Sequence, residues 1–466
     1  MNDSARHPVR RVCESDCGLF ADRRTVKDMV EWRALVRFAA VYAATATAGL
    51  AIMMPVSYGW FTSAPQQVDL MVRSVPPAME SGAMVAVICA AAVVSVRSNR
   101  AAWYAVAVAL LGILVNHVGM SGVGMDSLTT VNYVDALCAG VIIGCLAPVV
   151  WTPSLAGGAY LFGCLSSVIF GDIAQPPDQD RWSSTLDRLF GGAPPVWLIL
   201  VALALVAANL PARDHIGPMP GEGPDFSLAP ILSGAVAVFT LARASRWLAE
   251  SGDRVAVVVA GVALVIVGAF LAALILPGRD GVLLLLLVAC SAAASAVVTV
   301  PRPGWPNLLI DVAVAAGLLV AWLRPRPYVA IAASAVLAAV AALLAVTGIA
   351  NPTWAVLGVV AISLVGGGNL GSALPRRATS VVVALSALFV PSAAVALRGR
   401  PFGRIGYSPH WYRLPQVPHE PVPAYAALGI TAGCALGVYL VRRWRPEQPK
   451  PVGPVAVEMG ERHGDA

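Results

Sequence analysis

The residues able to do chemistry in this chain are acids and amides set inside long apolar runs. Asp135 lies in "TTVNYVDALCAGVIIGC", Asp311 in "GWPNLLIDVAVAAGLLVAWL" and Glu80 in "SVPPAMESGAMVAV". Asn116 and His117 fall in "LLGILVNHVGMSG", and Asn369 in the glycine cluster "SLVGGGNLGSALPRR". An ionisable group inside a bilayer costs several kcal/mol, so each is a candidate for work on protons or substrate. Asp311 stands a full turn beyond Pro306 and Asn307, out of capping reach, with apolar flanks on both sides. That setting suits a proton carrier, which must load and unload near ambient pH. Asp135 follows Asn132 by three residues, the spacing of an N-cap and an acid in the first turn. Capping and a carboxylate at the mouth of a cavity are both open for it. His117 titrates near neutral pH and suits a proton relay or an interfacial position. Asn369 is expected to offer an amide to a cavity or to sit among packing glycines.

These positions need a membrane helix bundle around them. The chain has 466 residues, of which 58% are hydrophobic and 12% charged. A soluble chain carries roughly a quarter charged residues. Apolar runs of the length that crosses a bilayer recur almost end to end. The fold class expected is therefore an all-α polytopic membrane protein with about fourteen transmembrane helices, at about 34–54, 79–96, 101–119, 132–151, 154–172, 194–210, 227–248, 254–276, 281–299, 306–323, 328–348, 353–373, 378–397 and 424–441. No segment alternates apolar and polar residues as the strands of a membrane barrel do.

The net charge of +6 calls for no nucleic-acid partner. Basic residues flanking membrane helices follow from the positive-inside rule. An even helix count puts both termini on one side. With that side inside, inner segments hold roughly twice as many Arg and Lys as outer ones, so both termini are expected in the cytoplasm of a cell with a plasma or inner membrane. Arg37 is expected to snorkel to the cytoplasmic surface. Cys89, Cys138, Cys145, Cys164, Cys290 and Cys434 lie in apolar runs and read as packing residues. Cys13 and Cys17, with His7 nearby, fall short of the four ligands of a zinc site. No metal and no cofactor is expected.

Six helices, a central pair and six more form a layout that resembles the fourteen-helix drug/proton antiporter branch of the major facilitator superfamily. The strongest local likeness is "GPDFSLAPILSGAVAVFTLARASRWLAESGDRVAVVVAGVALVIVGAFLAALILP", residues 223–277. "PSLAGGAYLFG", residues 153–163, is similar to the glycine-rich antiporter motif of helix five. The family's usual Gly and Asp are missing from the loop "VRSNRAAW", which keeps Arg97 and Arg100, and Asp135 lies near where helix four usually carries an Arg. The resemblance implies a cytoplasmic tail over 1–33, an N-terminal half over 34–210, a linker over 211–226, a central helix pair over 227–276, a C-terminal half over 277–441 and a disordered tail over 442–466. It also makes Glu80 and Asp311 occupants of matching helices in the two halves.

The function expected is a transporter working by alternating access, coupled to protons and exporting an amphipathic or lipid-like small molecule. Asp311, Asp135, Glu80, His117 and Asn369 are the candidate proton and substrate residues, and membrane lipids, protons and the substrate are the partners. Two other classes remain. A membrane glycosyltransferase using polyprenyl-phosphate sugars would place Asp69, in "QQVDLMVRS", on an outer loop near Glu80. A scaffold for envelope assembly would tolerate neutralisation of every acid named. No phosphate-binding loop, nucleotide fingerprint or hydrolase elbow is present.

Overall fold

A computed structural model describes residues 22–53, 65–119, 128–151, 155–173, 194–210, 228–252, 254–297, 307–347, 352–398 and 421–445. Fifteen helices lie within them: α1 (Asp22–Met53), α2 (Pro65–Val96), α3 (Asn99–Gly119), α4 (Leu128–Val150), α5 (Leu155–Ile173), α6 (Val196–Asn209), α7 (Leu228–Ser251), α8 (Val255–Ile275), α9 (Gly281–Val297), α10 (Asn307–Leu323), α11 (Pro327–Thr347), α12 (Pro352–Ser372), α13 (Ala378–Ser386), α14 (Ala393–Arg398) and α15 (Val422–Trp444). No strand occurs among the described residues. A helix satisfies every backbone group from within, and this is what a chain in hydrocarbon requires.

Eight of these helices are long and apolar enough to cross a membrane, and five more are apolar but shorter. Their outer faces are apolar too. On α3, Tyr104, Val108, Leu111, Val115 and Val118 are exposed at helical spacing. On α11, Val329, Val336, Val340 and Leu343 are exposed in the same way. Such stripes are out of place in water and ordinary against lipid. The chain is an all-α polytopic membrane protein.

Helix packing repeats along the chain. In the first set α1 lies against α4, α5 and α6, α2 against α4, and α3 against α4 and α6. In the second set α9 lies against α11, α12, α13, α14 and α15, α10 against α12, and α11 against α12 and α15. Each of these pairs of the first set recurs in the second, with α13 and α14 together standing where α5 stands, while α9 packs far more closely on α11 than α1 does on α3. Four contacts join the sets as two matching pairs, α2 with α13 and α5 with α10, and α4 with α13 and α5 with α12. The remaining pair, α7 and α8, packs on both sets: α7 on α2, α13 and α14, and α8 on α9, α14 and α15. Ser233 of α7 ties the pair together by donating to the Ala272 carbonyl at 2.7 Å.

The tightest seams, α2–α4 and α10–α12, are built alike from small residues. A Cβ on Gly140 would stand 2.3 Å from the Gly82 carbonyl oxygen, and one on Gly144 2.2 Å from that of Ala86. In the second set a Cβ on Gly367 would stand 2.3 Å from the Val314 carbonyl oxygen, and one on Gly317 2.1 Å from that of Leu364. Between membrane helices there is no hydrophobic drive, so close backbone approach through glycine supplies much of the association. The cluster around Gly366–Gly368 therefore lies inside α12 as packing surface and does not break the helix.

One end of the bundle is held by arginines. Arg37 of α1 donates to the Val149 carbonyl at the end of α4, at 2.9 Å. Arg445 donates to the Leu274 and Leu276 carbonyls and, at 2.9 Å, to that of Gly278, capping the end of α8. Arg279 returns the contact by donating to the Arg445 carbonyl at 2.7 Å, which caps α15. Cations at helix C-termini satisfy carbonyls that have no partner within the helix. The bond from Arg37 shows that it is anchored to α4.

Four sequence expectations change. Helix thirteen is two helices, α13 and α14. Pro391 lacks an N–H and its ring obstructs the carbonyl four residues before it, so the helix ends at Ser386 and restarts at Ala393. Ser245 of α7 repairs the gap by donating to the Pro391 carbonyl at 2.6 Å, and Ser392 donates to Ser295 of α9 at 2.7 Å. Helix two begins at Pro65 and runs through Pro76 and Pro77, so Asp69 lies in a helix and not in an outer loop. Helix one begins at Asp22, inside the segment assigned to a tail. Helix four begins at Leu128, so Asn132 lies within it and no acid occupies its first turn. Residues 1–21, the linker 211–226 and the tail from 446 lie outside the described residues, and so do Cys13, Cys17 and His7.

Candidate functional site

The polar residues of the bundle fall into four groups, each placed where two helices meet. The first lies between α3 and α4. Asp135 is seven residues past Leu128, about 10 Å along the helix at 1.5 Å per residue, and far beyond capping. It is fully buried. Asn116 Nδ2 donates to Asp135 Oδ1 at 2.6 Å and to the Val131 carbonyl at 3.0 Å. His117 Nε2 stands 2.8 Å from Asp135 Oδ2, with the two side chains 5% and 1% exposed. The Asn-His pair ends one helix, and the acid faces it from the next. The sequence named all three residues without joining them, because adjacency between α3 and α4 depends on a connection of unknown path.

The second group lies where the two sets touch, between α5 and α10. Asp311 Oδ1 is buried with no hydrogen-bond partner. Ser166 of α5 stands beside it, and its hydroxyl oxygen is also buried without a partner. Tyr42 of α1 lies within electrostatic reach of Asp311 and stacks on Phe162 of α5, ring centroids 5.0 Å apart. Buried polar atoms without partners are uncommon and cost free energy, so a facing pair of them marks a place built to receive something. Ser166 gave little sequence signal, since a hydroxyl in "CLSSV" is an ordinary small residue of a membrane helix.

The third group joins the first set to the central pair. Glu80 Oε2 of α2 accepts a charged hydrogen bond from Arg246 Nη2 of α7. Glu80 Oε1 is buried and has no partner. Glu80 therefore has a counter-ion, unlike Asp311. Their register is close: Glu80 precedes Gly82, whose carbonyl meets Gly140, by two residues, and Asp311 precedes Val314, whose carbonyl meets Gly367, by three. The two acids lie at nearly matching places in corresponding helices and meet different neighbours. Arg246 was findable in the sequence, since an arginine inside a membrane helix asks for an acid elsewhere in the bundle.

The fourth group is Asn369, which is fully buried. Its Nδ2 donates to Ser334 Oγ of α11 at 3.0 Å and to the Val365 carbonyl at 2.8 Å, while Oδ1 has no partner. The bond to Ser334 holds α11 to α12 and is worth about 1 kcal/mol in a membrane, while the other stays within α12. No cluster of three or more His, Cys, Asp or Glu side chains suited to a metal occurs among the described residues.

No family model matches the chain. No curated protein matches it either. Among solved structures it is similar to the POT family transporter PepTSo, at 13% identity over 88% of this chain and 97% of that one, with a TM-score of 0.45. It is also similar to an auto-inhibited POT family peptide transporter, at 12% identity over 91% of this chain and 98% of that one, with a TM-score of 0.48. Likeness at these scores carries no inference about substrate or branch. Neither is a drug/proton antiporter by name, and membership of that branch stays an expectation.

Proposed function

We propose that the chain is a proton-coupled transporter that works by alternating access between its two six-helix sets and exports a small amphipathic molecule. One observation supports this above the others: Asp311 and Ser166, whose buried oxygens have no partner beyond each other, meet at α5–α10, one of the matching contacts between the repeated sets. A protonated Asp311 becomes a donor, and Ser166 Oγ is an acceptor within its neighbourhood. The Ser166 hydroxyl can also donate to ionised Asp311, so loading or releasing a proton would reverse the direction of this contact and change its strength across the joint. A conformational change needs such a difference between states to be driven by a ligand.

Asp135 and His117 are a second place where protons can reside, at the α3–α4 seam. The glycosyltransferase reading needs Asp69 on an extended loop, and its place within α2 removes that premise.

The test is flux in proteoliposomes carrying a pH gradient, with a fluorescent amphipathic dye as substrate and a second dye reporting proton movement. Wild type is expected to move both. Asp311→Asn is expected to lose about tenfold or more of the gradient-driven flux, on the order of the loss of an essential proton-transfer group. Undiminished pumping by Asp311→Asn would remove that residue from the coupling step. Absence of any proton-driven flux in wild type across a panel of amphipathic dyes would overturn the transporter reading.

A further inference from the structure

At the end of the bundle held by arginines, not every guanidinium is used structurally. Arg445 and Arg279 are committed to backbone carbonyls, as described above. Arg326, Arg442 and Arg443 are not. Arg326 precedes α11 and is exposed. Arg442 and Arg443 lie in the last turn of α15, which packs along α11. None of the three has an ion pair among the described residues.

Aromatic side chains orient two of these charges. The Arg442 guanidinium lies over the ring of Tyr328, 4.9 Å from its centroid. Arg443 Nη1 donates to Tyr439 Oη at 2.8 Å. A guanidinium stacked on a ring keeps its in-plane N–H donors free, and those donors match two oxygens of a phosphate. Arg326 stands two residues before Tyr328 and adds a third charge at the same seam.

The surroundings select the kind of phosphate. Val329, next to Tyr328 on α11, is 60% exposed, and Trp444, next to Arg443 on α15, is 57% exposed with its ring edge-on to Phe270 of α8. Apolar and aromatic surface directly beside uncompensated charge is the profile of a headgroup boundary, with acyl chains on one side and phosphate on the other. A soluble anion gains nothing from that apolar flank.

We infer that the α11–α15 seam, with Arg442 over Tyr328 and with Arg326 and Arg443 on the same two helix ends, binds the phosphate headgroup of an anionic phospholipid. The inference is independent of the transport reading. Its occupant is a lipid of the surrounding leaflet, held at one place on the bundle. Diffuse attraction of all basic residues to an anionic surface is the competing outcome of the test.

Lipid retention by the purified full chain tests it, using native mass spectrometry with phosphatidylglycerol and phosphatidylcholine of identical acyl chains. Wild type is expected to retain one phosphatidylglycerol in preference to phosphatidylcholine. The double variant Arg326→Gln/Arg442→Gln is expected to weaken that retention on the order of tenfold. The pair Arg97→Gln/Arg100→Gln, exposed in the α2–α3 turn and the first turn of α3, is expected to leave it unchanged. Equal retention of both lipids, an undiminished double variant, or an equal loss in the Arg97/Arg100 control would each overturn the site. If the double variant melts below wild type in phosphatidylcholine, the single exposed change Arg326→Gln carries the test, with a several-fold loss expected. Inorganic phosphate at millimolar concentration is expected not to displace the lipid, and displacement would overturn a lipid occupant.

Discussion

Asp135 is held by two side chains of one neighbouring helix, the donating amide of Asn116 and the ring of His117, and this ties α3 to α4 through polar atoms. Asp135→Ala leaves His117 without that partner and Asn116 with a single acceptor. The expected cost is about 1–3 kcal/mol, seen as a lower melting temperature, with Asp135→Asn milder because one acceptor oxygen remains. A variant that melts like wild type would show that the group holds nothing together. At the opposite end, Asp280 accepts from the backbone N–H of Arg376 at 3.0 Å and of Arg377 at 3.4 Å, fastening the start of α13. Burial pushes its carboxyl above the ordinary carboxylate range, against the lowering effect of those bonds. Between its unfolded value, about 4, and the raised folded value, the folded chain keeps a proton that the unfolded chain has lost. Stability therefore falls as pH rises through that window. Asp280→Asn keeps an acceptor and removes the titration, so its melting curve should lose part of the decline between pH 4 and neutrality. A constant offset between the two proteins over that range would sink the idea.

Adjacent glycines in one helix have opposite roles. A Cβ on Gly367 would meet the Val314 carbonyl oxygen at 2.3 Å and the Leu318 nitrogen at 2.8 Å, both backbone atoms that side-chain motion cannot relieve. A Cβ on Gly368 meets nothing within 4 Å. Gly367→Ala is expected to destabilise by about 1–3 kcal/mol by forcing α10 and α12 apart. Gly368→Ala is expected to be neutral or to stabilise by about 0.5–1 kcal/mol, because alanine loses less backbone entropy. Thermal melting of the two purified variants decides, and equal effects would contradict the seam geometry. The run "SLVGGGNLG" announces a close contact or a break without saying which glycine faces a partner, since that depends on the rotation of α12 about its axis. Pro391 in "SALFVPSAAV" did announce the break between α13 and α14. The apolar run across it masked the signal, because hydrophobicity continues where helical hydrogen bonding stops.

The whole bundle is two similarly packed sets with α7 and α8 wedged against both. The Glu80–Arg246 pair fastens the wedge to the first set through α2. Any motion that separates α2 from α7 must part those charges, and removing one leaves the other unpaired in apolar surroundings. In the flux assay Glu80→Gln and Arg246→Gln are each expected to depart from wild type, and the double variant to lie closer to it than their sum. Additive effects would deny the coupling. Membrane class, helix number near fourteen and the central pair were all legible in the chain, because hydrocarbon imposes length and apolarity on each helix separately. The acids were legible for the same reason, since a charge in such a helix stands out alone. Partners were not: Ser166 for Asp311, Arg246 for Glu80 and Ser334 for Asn369 each come from distant sequence. Which face of a helix meets which neighbour is decided by small residues and backbone approach, and these leave only a faint pattern in composition. The amino-acid sequence determined by itself that this protein spans a membrane many times and carries a few costly acids. The tertiary structure alone decided that Asp135 is bound to a histidine, Glu80 to an arginine, and that Asp311 is left open at the joint between the two sets, because those outcomes depend on helix rotation and adjacency.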